Sequence, residues 1–275
     1  MRIPILAYHS ANIAGNDYAN NDHVAFAHDL ALIAELGLRI VPAHWIVDQM
    51  LGRCARDLSR SVVLTCDDAP ALDYYDLSHP QYGQQKGLIN LLREFDGRHA
   101  PGSHPHLTCF AIASPQARAR MDEQCLAGQG WMTDEWWSAS NGHFSIENHS
   151  WDHNHPCLGD TPVLPRGDFH CVDNADRAEY EIAQAQDFFA AKLGASPSLF
   201  CYPYSHVNDY LSREWLPTRG AQIGLEAAFG DGCRPAEETS DRWNLPRYIC
   251  GWHWKSADEL RALLNDAAGE PHGNR

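Results

Sequence analysis

The chain lacks what it would need to sit in or across a bilayer. Residues of hydrophobic type make up 44% of the 275, yet no apolar run approaches the roughly 20 residues of a membrane-spanning helix. Positive charge is also scarce. Lys and Arg total 21 against 36 Asp and Glu, a formal net charge of −15. Such a surface repels nucleic-acid phosphates and anionic headgroups, so neither a nucleic-acid partner nor a membrane span is expected. Nine cysteines are scattered without one C-x-x-C pair. This excludes a zinc ribbon and a regular disulfide framework, and leaves free buried thiols of a reducing compartment as the expectation. The opening "MRIPILAYHS" places a charge, a proline and polar residues where a secretory leader carries its apolar stretch, so the expected location is the cytoplasm. Internal repeats, low-complexity tracts, interdomain linkers and a glycine fingerprint for phosphate are all missing.

What remains is an alternation of short apolar runs with amphipathic stretches. Ile3–Ala7, Leu38–Val41, Ser61–Cys66, Leu107–Ile112, Phe144–Asn148, Leu199–Tyr202, Gln222–Leu225 and Leu245–Ile249 read as strands. Helices are expected over Val24–Leu36, Ala43–Met50, Gln84–Phe95, from Ser114 and Pro115 onward, over Thr133–Ser140, over Asp176–Leu193 with Gly194 as its stop, and after the capping box Ser256–Glu259. Asp67–Gly83 and His149–Cys171 read as loops. Strands alternating with helices mean parallel pairing through helical crossovers. The expectation is a single α/β domain over residues 1–268, a closed TIM-barrel-like fold with an open doubly wound sheet as the alternative, followed by a frayed tail at 269–275.

In such folds chemistry gathers at the carboxyl ends of the strands. Strand one ends at His9, the third at Asp67 and Asp68, the Phe144 strand at His149 and His153, and the Leu199 strand at "CYPYS". Two imidazoles and one carboxylate, with an open position for water, suit a catalytic Zn²⁺. One Asp can then ligate the cation while the other faces the water on it. The competing reading has both acids capping the following turn. His149 and His153 are four apart, so one helical turn would aim both rings the same way. His153, His155 and Cys157, and the pair His104 and His106, have the spacing of a second ligand set but read rather as exposed loop residues, and Cys66 and Cys201, candidate nucleophiles by position, read as structural thiols. Asp152 either hydrogen-bonds a ligand imidazole or is solvated. His253, in "GWHWK", is a competing candidate for a general acid but reads rather as packed between Trp252 and Trp254. Trp136, Trp137, Trp151, Trp252 and Trp254 are candidate sugar platforms, with Trp151 set apart by its place inside the His motif.

Taken together these motifs resemble the polysaccharide deacetylase family (NodB-homology domain). "TCDDA" at Thr65–Ala69 is similar to its T-F-D-D-G, "HSWDH" at His149–His153 to its H-S-x-x-H, and "CYPY" at Cys201–Tyr204 to its R-x-P-Y. "ILAYHS" resembles the opening strand of a permuted branch that carries the family's late L-x-H histidine at the N-terminus, and "NLPRY" resembles a late Arg-bearing strand. The resemblance implies a distorted (β/α)7 barrel and removal of N- or O-acetyl groups from a carbohydrate by metal-activated water. It implies Asp68, His149 and His153 as ligands of Zn²⁺ or another divalent metal, Asp67 as general base, His9 as general acid, and the backbone N–H of Tyr204 at the oxyanion. Trp151 and Tyr204 are the expected substrate contacts. The departures are Cys66 for Phe, Ala69 for Gly, Cys201 for the motif Arg, and Ser205 where Gly is usual. Arg247 either replaces the missing Arg beside Asp67 or ends its strand as a surface charge. The alternatives in function are a cytoplasmic relative that acts on a small or cyclic amide, and a catalytically impaired carbohydrate-binding barrel.

Overall fold

The computed structural model describes residues 1–99, 105–126, 128–139, 142–159, 165–230 and 232–268. His104 and the expected tail at 269–275 lie outside the described residues. Eight parallel strands form the main sheet: β1 (Ile5–Tyr8), β2 (Arg39–Ile40), β3 (Ser61–Asp68), β4 (Leu107–Ala111), β5 (Phe144–Asn148), β6 (Leu199–Cys201), β7 (Ala227–Phe229) and β8 (Tyr248–Ile249). Their order is β7-β6-β5-β4-β3-β1-β8, with β2 alongside β3.

The sheet curls because its last segment touches both edges. Leu245 bridges Phe229 in parallel, with its N–H on Ala228 O at 2.8 Å and its carbonyl taking the Gly230 N–H at 3.0 Å. Three residues later Tyr248 and Ile249 pair with Leu6 and Ala7 of β1. The fold is therefore the expected barrel-like α/β arrangement rather than an open doubly wound sheet. The pleat sends alternate side chains to opposite faces. Ile5, Val63, Phe110, Leu199, Phe229 and Leu245 meet in one buried cluster, while Leu6, Val62, Leu64, Leu107 and Cys109 join helix residues in another.

Local chemistry sets the helix ends. Asn21 caps α1 (Asp22–Glu35) by accepting from His23 N and Val24 N. α2 is Ala43–Met50 and α3 Leu88–His99. Ser114 caps α4 (Pro115–Cys125) through the Ala117 N–H. α5 runs from Ala175 to Leu193 around a π-helical turn at Glu179–Ala183, and Gly194, at φ 77°, ends it. α6 is a π-helical stretch, Leu211–Gly220, and α7 is Ala257–Ala268.

Three expectations fail locally. Gln222–Leu225 is not a strand: Leu225 N–H bonds back to Gly220 O, closing the end of α6, and pairing starts at Ala227. α3 starts at Leu88 because Gly83–Gln85 pairs with Leu77–His79 in a hairpin. Thr133–Ser140 is a turn in its described part. Trp136 there stacks on Tyr74 and Trp137 packs against Phe189, both buried, so core packing overrides helix propensity.

Asp29 on α1 joins four parts of the chain. It accepts from Tyr8 OH of β1 (2.9 Å), from Trp254 Nε1 (3.2 Å) and from Tyr18 OH. Burial pushes its carboxyl up to about 6, against the pull of these donors. A folded-state value above the unfolded one favours folding at low pH, and that contribution is lost as pH rises through about 6. Asp29→Asn is expected to flatten unfolding free energy against pH between about 4 and 7 by up to about 3 kcal/mol. Urea unfolding across that range measures it, and an unchanged slope assigns the dependence to other groups.

Candidate metal centre

A pocket of about 270 Å³ opens at the carboxyl ends of the strands, lined by His9, Asp67, Asp68, His149, His153 and Tyr204 among others. The sequence motifs thus converge in space: His9 follows β1, the two acids end β3, both imidazoles follow β5, and Tyr204 follows β6.

The adjacent carboxylates have different surroundings. Asp67 is buried and meets Arg247 in a two-point fork, Nη1–Oδ1 2.7 Å and Nη2–Oδ2 2.8 Å. Arg247 is itself buried, held by Thr65 Oγ1 (3.2 Å) and Gly230 O (3.1 Å). It is therefore not a surface charge at a strand end. Burial raises the Asp67 carboxyl, but Arg247, with His149 and His9 nearby, outweighs it and holds the group well below the usual carboxylate range.

Asp68 points elsewhere. Its Oδ1 is buried with no hydrogen-bond partner, 3.8 Å from His149 Nε2 and 3.7 Å from His153 Nε2. Those donor atoms all lie within 4.8 Å of one another. Ligands about 2 Å from a tetrahedral cation sit about 3.4 Å apart, so the set fits a divalent ion with a small contraction. His149 Nδ1 donates to Cys201 O at 2.8 Å, which leaves Nε2 free to ligate.

The backbone is bent to achieve this. Asp68 (φ 72°), His153 (φ 62°) and Tyr204 (φ 57°) are all left-handed. Ala69 (φ 50°) and Ser205 (φ 57°), the two sites where the family pattern has Gly, are left-handed too. Each costs a non-glycine residue about 1–2 kcal/mol, and such strain concentrates at functional sites. The expected helical turn between the imidazoles is absent. Instead Asn148 Oδ1 takes the Ser150 N–H, Ser150 Oγ takes the His153 N–H and Asp152 Oδ1 takes the Asn154 N–H.

Residues 104–217, which contain the HSWDH and CYPY motifs, match the family described as polysaccharide deacetylase. That match spans less than half of the chain and is a likeness to the family. No curated protein sequence matches it significantly. Among solved structures it is similar to the Streptococcus pyogenes deacetylase PplD in complex with acetate, at 15% identity and a TM-score of 0.62 over 96% of this chain and 98% of that one. It is also similar to a de-N-acetylase from Aggregatibacter actinomycetemcomitans, at 13% identity and a TM-score of 0.63 over 96% and 100%. IcaB from Ammonifex degensii follows at 16% identity and a TM-score of 0.57 over 96% and 97%. At such identities these likenesses speak to the fold.

Several expected residues fall elsewhere. Trp151 does not reach the pocket; its ring packs edge-on against Phe188 of α5, 6.0 Å between centroids. The exposed indole is Trp252, at 80%, on the tight turn just after the pocket residue Ile249. His253 Nδ1 accepts the Ile249 N–H at 2.7 Å and holds that turn, with its ring edge-on to Tyr248. His106 is buried rather than exposed, between Gly142 O and Ser145 Oγ. Asp152 is neither solvated nor bonded to a ligand imidazole. It is buried against Arg166 (2.7 Å) and Tyr180 OH (3.0 Å), with Glu181 behind it. Cys66 and Cys201 are buried thiols pushed up by desolvation, Cys201 despite Arg247 close by.

Breaking a buried ion pair leaves an uncompensated charge. Arg247→Met is expected to lower stability by about 3–5 kcal/mol, and adding Asp67→Asn should recover part of that loss. Urea unfolding of the two single variants and the double variant checks this; additive losses would show that the fork does not couple them.

Proposed function

We propose that this protein is a divalent-metal-dependent hydrolase that removes acetyl groups, N-acetyl first and O-acetyl as the variant, from a carbohydrate. The observation that carries this reading is the partnerless Asp68 carboxylate facing two imidazole nitrogens, beside an Arg-clamped Asp67, on a barrel-like fold whose residues 104–217 match the polysaccharide deacetylase model.

Asp68, His149 and His153 would hold the ion, and one carboxylate with two imidazoles favours Zn²⁺. A divalent cation there acidifies water and polarises an acyl oxygen, which lets a carboxylate held as low as Asp67 serve as proton acceptor. Arg247 keeps Asp67 ionised at neutral pH and fixes the direction of its oxygens. His9 Nε2 lies 3.6 Å from Asp67 Oδ2, and in this reading it protonates the departing amine. The Tyr204 amide is the candidate donor to the developing oxyanion. The pocket has room for an acetamido group and part of one sugar ring, and Trp252 offers a face on which the next ring can stack.

Acetate release from N-acetylated chito-oligosaccharide by the zinc-loaded protein tests the reading. Asp67→Asn is expected to lower the rate at least about 100-fold while keeping its metal, whereas Asp68→Ala and His149→Ala should lose the metal as well. A metal-loaded parent that releases no acetate from N- or O-acetylated sugars refutes the proposal. His9→Gln should slow deacetylation of the amide by about 100-fold or more but barely affect an aryl acetate, whose phenolate departs without a proton. Equal losses on both substrates would remove His9 from the acid role.

A further inference from the structure

Cys125 is the last residue of α4, and it meets His155 and Cys157 from the loop that follows β5. One ligand atom of each residue lies within 4.8 Å of the other two. None of the three lines the catalytic pocket, and the proposed acetyl transfer to water uses none of them. We propose that Cys125, His155 and Cys157 form a second metal site, which takes a borderline-soft cation of the Zn²⁺ class and ties the metal-binding loop to the end of α4.

Two features support this. The donor set is the first: two sulfurs and an imidazole select zinc-like ions over Mg²⁺ or Ca²⁺, which prefer oxygen. The placement is the second. The site lies at the carboxyl end of an eleven-residue helix, where the partial negative charge of the helix favours a cation. Cys125 is exposed, so the fourth position opens to solvent. The imidazole has one competing bond, because His155 Nδ1 accepts the Cys157 N–H at 3.2 Å. A cation on Nε2 places the ring proton on Nδ1 and so replaces this cap with a metal–nitrogen bond.

The consequence reaches the first centre. His155 is two residues from His153, and their rings are 5.9 Å apart. A cation on His155 and Cys157 therefore anchors the loop whose left-handed His153 faces Asp68.

Cobalt separates the two sites, because Asp68, His149 and His153 contain no sulfur. The reduced, metal-stripped full-length chain is titrated with Co²⁺. The expected result is two equivalents bound, one of them with a sulfur-to-cobalt charge-transfer band in the near ultraviolet that Zn²⁺ bleaches and Mg²⁺ does not. Cys125→Ser and Cys157→Ser should each lose the band and one equivalent. His149→Ala should lose the other equivalent and keep the band, and Cys201→Ser, next to the first centre, should keep both equivalents and the band. Absence of the band, its survival in Cys157→Ser, its loss in Cys201→Ser, or a Cys125–Cys157 disulfide in protein kept under reductant would each overturn the proposal. None of these readouts depends on deacetylase activity.

Discussion

The fork between Arg247 and Asp67 is the constraint on which the site depends. Arg247 lies on the segment that bonds to β7 at Leu245 and to β1 at Tyr248, so the residue that closes the sheet also reaches the carboxylate ending β3. Two charges buried this deeply are tolerated only because their geometry is good and their remaining hydrogen-bonding groups are met by Thr65 and Gly230. Barrel closure and the ionisation of Asp67 are thus one structural event. A chain that failed to bring residues 245–249 between the two edges would leave Asp67 buried without its counter-charge.

Around that pair the backbone carries strain that the core can tolerate. Asp68, His153 and Tyr204 adopt left-handed conformations unfavourable for residues with a side chain, and Ala69 and Ser205 adopt them where a glycine would do so freely. The strain has a geometric purpose. Consecutive residues of a strand point to opposite faces, yet Asp67 and Asp68 both line the pocket at one rim. The left-handed turn at Asp68 redirects the second carboxylate toward the imidazoles while the first stays on Arg247.

The loop from His149 onward is held by buried charge as well as by apolar contact. Arg166 pairs with Asp152 and approaches Glu181, and Tyr180 closes the group. Glu181 sits on the π-helical turn of α5, and its carbonyl takes the Trp151 N–H. Burial, followed by the neighbouring Asp152 charge, pushes the Glu181 carboxyl well up. Cys125, at the end of α4, meets His155 and Cys157 of the same stretch.

Much of the fold was legible because its signals are local. Apolar runs, Ser114–Pro115, the stop at Gly194 and the acids after Val62–Thr65 each act within a few residues, and they located β3, β5, α2, α4 and α5 with small errors at their ends. The carboxyl-end rule then drew His9, Asp67, Asp68, His149 and His153 together before any coordinates. The errors came where a distant contact outweighs propensity: Trp136 and Trp137 drawn into the core, Trp151 turned onto Phe188, Asp152 committed to Arg166. The sequence by itself determined the strand–helix alternation and which residues stand at the rim, because both follow from side-chain period and strand direction. Whether Arg247 faces solvent or Asp67, which indole is left exposed, and that Cys125 meets Cys157 were decided only by tertiary structure, since each depends on how far the sheet curls and which chain segments that curl brings within a few ångströms.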